Sequence, residues 1–367
     1  MDELQKARKK INEADRELAE IFKKRMNAAA EIAEYKKEHG LPVFDEAREK
    51  EVIEKNSLCF DDPELKSYYL SFLTDLMTVS KRYQHRLMDG MKVAYSGVEG
   101  AFADIAAKRI FPDGEHIGYG DFEEAYNAVR DGICDCAVLP VENSYAGTVG
   151  RVMDLLFKGD LVVSGIYTLP VIQNLLGLPD ASASDIKSVI SHPSALSQCS
   201  AYLKRHKFET IISDNTALAA KEVAERGEKT LAAVASAETA DLYGLKILDH
   251  DINESADNYT RFAVLSKTLP EGSERGRFIL MFTVNDVAGA LADAINAISR
   301  HGFNMKALKS RPVKERAWQY YFYVEAEGDE TSPEGKKMIA DLSKKCETLK
   351  IVGHFGAEIV LKGGEGK

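Results

Sequence analysis

IFKKRMNAAAEI, residues 21–32, places an arginine on what reads as the buried stripe of a helix. Steps of three and four through this region give the seam Ile11, Ala14, Leu18, Ile21, Arg25, Ala28 and Ile32, the spacing of an amphipathic helix. A guanidinium there needs an anion or a route to water, because burying one unpaired costs several kcal/mol. Taken alone, Arg25 fits a snorkelling side chain or one paired with a helix carboxylate. Lys36 lies eleven residues further on, close to three whole turns, so it points the same way about 16 Å along the axis. Arg8 lies seventeen residues before Arg25, about 25 Å away and a quarter turn off that face. If Arg8 serves the same ligand, it must come from another chain.

The pattern around this stretch predicts a first helix over residues 2–38, stopped at His39-Gly40-Leu41-Pro42, a second over 45–56 and a third over 63–88. Residues 1–89 therefore read as all-helical. The 367-residue chain is 45% hydrophobic and 29% charged, an ordinary globular composition long enough for two or three domains. A net charge of -10 argues against a nucleic-acid surface, which needs clustered Lys and Arg. The first thirty residues are highly charged without an apolar signal core, and no run approaches the roughly 20 apolar residues of a membrane span. Cys59, Cys134, Cys136, Cys199 and Cys346 are scattered without a CxxC pair, as expected of reduced thiols in a cytoplasmic protein.

From Lys92 the texture becomes short apolar runs alternating with helical patterns, which predicts parallel sheets. Residues 161–178 separate two such α/β units, and two lobes with strands crossing between them would leave a cleft at the hinge. Residues 268–276 form a polar linker, after which strand and helix patterns follow the order βαββαβ of a ferredoxin-like α+β domain.

ARKKINEADREL (7–18), KKRMNAAAEIAEYKK (23–37), VFDEAREKEV (43–52) and SKRYQ (80–84) resemble the all-helical chorismate mutase family across nearly all of residues 1–89. The resemblance implies an active site inside an intertwined helical dimer. There Arg25, Arg48 and the Arg8 of a second chain bind the two substrate carboxylates, Lys36 and Gln84 donate to the ether oxygen, and Asp45, Glu49 and Ser80 contact the hydroxyl region. Ser80 and Gln84 are one helical turn apart, as that role requires. Without the resemblance, Asp45, Arg48 and Glu49 read as an exposed, salt-bridged helix start.

YSGVEGAF (95–102), PVENSYAGTV (140–149) and SHPSALSQC (191–199) each sit where a strand gives way to a helix, where free N–H groups attract carboxylates. Singly each reads as an ordinary helix cap, and His192 before Pro193 as a turn residue. Together with DNYTRF (257–262) they resemble prephenate dehydratase over residues 92–268. That resemblance implies Thr260 in catalysis and Asn143 and Gln198 in the substrate site, with Glu142, Ser144, Thr148, Ser191, His192 and Arg261 in or beside it. Strand alternation sets Arg261 opposite Thr260 and Phe262. YSGVEG lacks the GxGxxG order and no P-loop occurs, so a nucleotide fingerprint is not supported.

GALADAINAISRHGFNMKALKSRP (289–312) is similar to the ACT regulatory domain that follows prephenate dehydratases. It implies a phenylalanine site built from Gly289, Ala290, Leu291, Asn304, Met305, Ser310, Arg311 and Pro312. Lys309 replaces the family's glutamate and Ala288 its proline, so the effector response is expected to be weakened or retuned. A ferredoxin-like module that only dimerises remains the alternative for this segment.

These resemblances imply a homo-oligomer, dimer or tetramer, acting on chorismate and prephenate without cofactor, metal, nucleic acid or membrane. The competing reading is a two-lobed ligand sensor on a helical dimerisation stalk.

Overall fold

The computed structural model describes residues 2–362 apart from 256, 271, 315 and 317. It divides into one unit up to Lys92 and a second from Val93. Among the described residues no helix is long and apolar enough to cross a membrane, and all five cysteines are free thiols.

The first unit contains three helices: α1 (Glu3–His39), α2 (Glu46–Ser57) and α3 (Pro63–Asp89). Gly40 ends α1 in the left-handed region (φ 64°), where glycine carries no Cβ penalty, and its N–H closes on Lys36 and Lys37 carbonyls. Asp45 and Asp62 cap α2 and α3 through their carboxylates, and Pro63 opens α3 where a missing N–H costs nothing.

The expected seam is corrected in one respect. Ile11 and Ile21 are 59% and 60% exposed, Leu18 and Ile32 are exposed too, and the face that packs on α3 carries Ala29 and Ala33 instead. Residues 2–24 are exposed throughout, because only the C-terminal part of α1 has a neighbour within the unit.

The second unit begins with β1 (Lys92–Ser96), α4 (Phe102–Ile110), β2 (Glu115–Tyr119), α5 (Phe122–Arg130), β3 (Cys136–Asn143), the short β4 (Gly147–Thr148), α6 (Gly150–Lys158) and β5 (Val162–Pro170). The chain then crosses into a second lobe of β6 (Asn174–Gly177), β7 (Ser188–Ser191), α7 (Pro193–Gln198), α8 (Ser200–His206), β8 (Glu209–Ile212), α9 (Thr216–Arg226), β9 (Leu231–Ala235), α10 (Ala237–Tyr243) and β10 (Lys246–Asp249). It returns through β11 (Tyr259–Ser266), so two segments, 171–173 and 250–258, link the lobes.

The second lobe's sheet runs β10-β6-β9-β7-β8, and the first lobe's sheet ends β5-β11-β3-β1-β2. Both are mixed rather than parallel as expected: β11 is antiparallel to β3 and to β5, since it enters the first lobe from the far side.

A C-terminal part follows, with β12 (Arg277–Thr283), α11 (Ala290–Arg300), β13 (Met305–Pro312), β14 (Tyr320–Glu327), α12 (Pro333–Leu342), β15 (Thr348–Phe355) and β16 (Ile359–Val360). Its strands lie in the order β13-β14-β12-β15, and β15 joins β5 by a single parallel pair, Gly353 with Val163. A Cβ at Gly353 would fall on the Val163 backbone, so only glycine permits that approach.

Period-two alternation buries both faces of β12. Phe278, Leu280 and Phe282 pack with Ala294, Ile298 and Met338 of the helices, while Ile279 and Met281 join Met153, Leu156 and Leu161 of the first lobe.

Charges also cross that junction. Arg261 of β11, 18% exposed, binds Glu142 (3.2 Å), Glu358 (2.9 Å) and the 1% exposed Glu325 (3.0 Å). Arg277 pairs with Glu325 (3.0 Å), and Lys309 with Glu142 (2.6 Å). Burial opposes ionisation of Glu142 and Glu358, but the neighbouring cations outweigh it, Lys309 and Arg261 for Glu142 and Arg261 for Glu358, and hold both carboxyls below their usual range.

Such groups contribute stability that is complete above the unfolded-state value, about pH 4.3 for Glu, and that disappears as pH falls through the depressed folded value. Thermal unfolding followed downward from neutral pH should therefore fall less steeply below about pH 4.3 in Glu358→Gln than in the wild type; parallel curves would contradict this account.

Candidate active sites

In the helical unit a cavity of about 310 Å³ opens between all three helices. α1 contributes Arg25, Ala28, Ala29, Ile32 and Lys36; the turn into α2 contributes Val43 and Asp45. Arg48, Glu49 and Val52 come from α2, and Met77, Ser80, Lys81 and Gln84 from α3. Four cationic and two acidic side chains thus surround an apolar floor, leaving the cavity positive.

The Arg25 guanidinium donates to the Ser80 hydroxyl and, at 3.4 Å, to the Leu76 carbonyl, so α1 and α3 hold it without supplying a counter-charge. Burial works against its positive charge and lowers its pKa. Lys36 donates to the Val43 carbonyl at 2.7 Å, which keeps its ammonium at the cavity rim. Asp45 accepts the Arg48 N–H at 3.0 Å, so its carboxylate is occupied in capping α2. Arg48 lines the cavity but pairs with Glu51 at 2.7 Å. Gln84 is buried, and its side-chain oxygen has no hydrogen-bond partner among the described residues. An uncompensated cation and an unsatisfied carboxamide in one cavity call for an anionic, hydrogen-bonding guest.

Lys81 was not singled out from the sequence. It lines the cavity, binds Glu49 at 2.7 Å and stands 5.3 Å from the Phe44 ring centroid. The SKRYQ run held the signal, since Lys81 and Gln84 are three residues apart on one helix. Arg8 is exposed, lies outside the cavity, and makes no ion pair among the described residues.

In the two-lobed unit the register of β11 against β3 sets the geometry: Thr260 faces Asn143, and Arg261 faces Glu142. The Asn143 side-chain oxygen accepts the N–H groups of Tyr145 (3.0 Å) and Ala146 (2.8 Å), which fixes which end of the carboxamide is which. Its NH2 then donates to Thr260 Oγ1 at 3.0 Å and to the Asn258 side-chain oxygen at 3.2 Å. Thr260 is left with its own hydroxyl proton to give.

Ser144 Oγ donates to the Asp257 carbonyl at 2.9 Å and accepts the Tyr259 N–H at 3.0 Å, tying the loop after β3 to the strand that carries Thr260. Thr148 of β4 pairs with Glu142 in the same hairpin. From the second lobe, the Ser197 hydroxyl meets the Tyr145 hydroxyl at 3.1 Å, which brings α7 to this loop. Gln198, at the end of α7, is buried with its side-chain oxygen unpartnered. Asn258 is likewise buried with an unpartnered NH2, and sequence reading passed over it although it belongs to the DNYTRF run.

Several of the residues implied for this site face elsewhere or hold local structure. Glu142 and Arg261 point away from Thr260, because neighbours in a strand alternate faces, and they spend their charges on Lys309, Glu325 and Glu358. Ser191 is fully buried and donates to the Val234 carbonyl at 2.6 Å, inside the second lobe's sheet. His192 accepts the Ser194 N–H at 3.2 Å as the cap of α7.

In the C-terminal part Gly289 takes φ 87° at the start of α11, with Ala290 and Leu291 as the first helical residues, and Asn304 donates to Glu327 at 2.8 Å. Met305 and Pro312 bound β13. Arg311 binds Asp154 of α6 at 3.2 Å rather than facing a free surface, while Ser310 lies on the opposite face of the strand. Among the described residues no cluster of three or more His, Cys, Asp or Glu is arranged to hold a metal.

The Chorismate mutase type II family matches residues 7–85, and the Prephenate dehydratase family matches residues 93–269. The bifunctional chorismate mutase/prephenate dehydratase of Aquifex aeolicus (strain VF5) is 31% identical over 97% of this chain and 98% of its own. Among solved structures, a quorum-quenching acylase is 31% identical with a TM-score of 0.67, covering 73% of this chain and 98% of that one. The prephenate dehydratase of Arthrobacter aurescens in complex with L-Phe is 25% identical with a TM-score of 0.67, over 73% and 90% of the two chains. Since the Aquifex likeness runs through the cationic helical cavity and the Thr260 site alike, this chain belongs to the bifunctional chorismate mutase/prephenate dehydratases.

Proposed function

We propose that residues 1–89 rearrange chorismate to prephenate, that residues 92–268 convert prephenate to phenylpyruvate, and that residues 276–362 form a ferredoxin-like ACT domain answering to phenylalanine, in a cytoplasmic homodimer or larger assembly. The observation that carries the mutase half is the positive cavity containing the uncompensated Arg25 and the buried Gln84. A Claisen-type rearrangement is unimolecular and needs no nucleophile. The site must hold the compact conformer and stabilise charge growing on the breaking ether oxygen. Arg25 and Arg48 bind the carboxylates, Lys36 and Gln84 donate to the ether oxygen, and Asp45, Glu49 and Ser80 hold the frame, with Lys81 added as a further cation at the wall.

A second chain completes this site. The exposed stripe Leu4, Ile11, Leu18 and Ile21 needs a cover, and Arg8 lies along the same uncovered stretch of α1, too far from Arg25 to reach its own cavity. Arg25→Ala should lower mutase turnover by about 10²–10³-fold with helicity unchanged. Mixing inactive Arg8→Ala and Arg25→Ala proteins should restore activity, since each mixed dimer holds one intact site. Absence of recovery after subunit exchange is verified would rule out the shared site.

In the dehydratase half, Thr260 receives its hydrogen bond from Asn143 and gives its own to the departing ring hydroxyl. That oxygen takes the Thr260 hydroxyl proton, which solvent replaces on Thr260, and leaves as water. The bond to the ring carboxylate breaks, its electron pair enters the ring, and carbon dioxide departs as the ring becomes aromatic. Gln198 and Asn258 supply the remaining polar contacts to substrate, and Ser144 and Thr148 hold the loop. An acyl-transfer reading, suggested by the acylase neighbour, needs a base at the nucleophile, whereas the group bonded to Thr260 is an NH2 donor. Thr260→Ala should lower dehydratase turnover by about 10²–10⁴-fold while sparing the mutase; a near-normal rate would remove Thr260 from the chemistry.

The ACT reading is supported by the chain order βαββαβ and by the L-Phe in the Arthrobacter structure. Gly289, Ala290, Leu291, Asn304, Met305, Ser310 and Pro312 form the effector site, while Arg311 is engaged with Asp154. An effector shifts the enzyme only by its differential affinity for two states. Phenylalanine at millimolar concentration should slow the dehydratase and leave Thr260→Ala binding of phenylalanine intact by calorimetry. Absence of both inhibition and heat would reject regulation by this amino acid.

A further inference from the structure

Glu142 and Asn143 are consecutive residues at the end of β3 and face opposite ways. Asn143 sets the Thr260 hydroxyl, and Glu142 is held from behind by the C-terminal part of the chain. Because adjacent Cα atoms are about 3.8 Å apart across a rigid peptide, whatever moves Glu142 moves Asn143. We propose that Lys309 is a positioning residue for the dehydratase reaction: through Glu142 it fixes the strand end that aims Asn143 at Thr260. This rests on the reading of Thr260 and Asn143 given above.

Charge balance carries the argument. The cluster behind β3 and β11 contains Lys309, Arg261 and Arg277 against Glu142, Glu325 and Glu358. Three cations face three carboxylates, mostly withdrawn from water. Without Lys309 one carboxylate is left uncompensated, and a buried unpaired charge either relocates to solvent or destabilises its surroundings.

Glu325 is held on the interior β14 and is 1% exposed, so it cannot move out; Glu142, 28% exposed and at a strand end, can. The remaining partner of Glu142, Arg261 at 3.2 Å, is shared with two other carboxylates. Loss of Lys309 therefore releases the strand end that bears Asn143.

β13, which carries Lys309, is itself anchored two residues on. Arg311 binds Asp154 of α6, whose carboxylate also accepts the Tyr321 hydroxyl at 2.7 Å. The strand is thus clamped to the first lobe at two alternate residues, and Lys309 is the one that reaches the catalytic strand. Glutamate, the residue expected here from the family motif, would set a carboxylate against Glu142 and push the strand end away. The lysine of this chain makes that contact attractive.

The test uses the full-length protein, with kcat and KM for prephenate, the mutase rate as internal reference and thermal unfolding as a check of folding. Lys309→Met should lower dehydratase kcat about tenfold or more, because a misplacement near 1 Å costs that much or more, with KM and mutase rate within about twofold. Lys309→Arg, which keeps the charge, should recover most of kcat. Adding Glu142→Gln to Lys309→Met restores charge balance, so the double variant should be no slower than Lys309→Met alone.

A Lys309→Met kcat within about twofold of wild type, or losses that multiply in the double variant, would overturn the proposal. Thr260→Ala separates the two levels. If that variant stays active the catalytic reading itself fails, whereas an inactive Thr260→Ala beside an unaffected Lys309→Met defeats the positioning role alone.

Discussion

Strand β11 lies between β3 and β5, antiparallel to both, and its period-two alternation decides what the two-lobed unit can do. One face presents Thr260 to Asn143; the other presents Arg261 to Glu142, Glu325 and Glu358. A hydrogen-bond donor aimed outward and a guanidinium buried inward occupy consecutive residues. A one-residue slip would exchange them, setting a charge at the donor's place and a threonine among three carboxylates. The packed cluster on the inner side penalises that slip heavily, so the ion network helps to specify the register.

The helical unit meets the converse problem, a cation kept buried without a resident anion. Arg25 is held by a hydroxyl and a carbonyl, which orient the guanidinium but do not neutralise it. Beside it α1 buries Ala29 and Ala33, whose small side chains let helices approach closely, and α3 buries Leu73 and Met77. What results is a preorganised positive cavity whose donors are already held in place.

Both halves therefore rely on positioned donors. Their supports differ in kind. The donors of the helical cavity project from helices and are fixed by side-chain to backbone bonds such as Lys36 to Val43. The Thr260 pair is fixed by strand register and by a loop whose N–H groups orient Asn143. The C-terminal part of the chain packs on that sheet through Ile279, Met281 and Tyr321.

The sequence by itself determined the elements and most of the cast. The helices of the first unit begin or end within a residue or two of where Gly40, Asp45 and Pro63 place them, since caps and breakers act locally. The run of β12 reads directly as a strand, and Arg25 and Lys36 could be set on one helix face from helical spacing, whereas Gln84, on another helix, came to them only through the family resemblance. Only the tertiary structure decided which charges face which way. Glu142 and Arg261 turned to the ion cluster, Arg311 turned to Asp154, Ser191 disappeared into a sheet, and Lys81 and Asn258 joined the sites. It also reversed β11 and left the Ile11 and Ile21 stripe uncovered. Those outcomes depend on partners tens to more than a hundred residues away, and periodicity along one element carries no information about what packs against it.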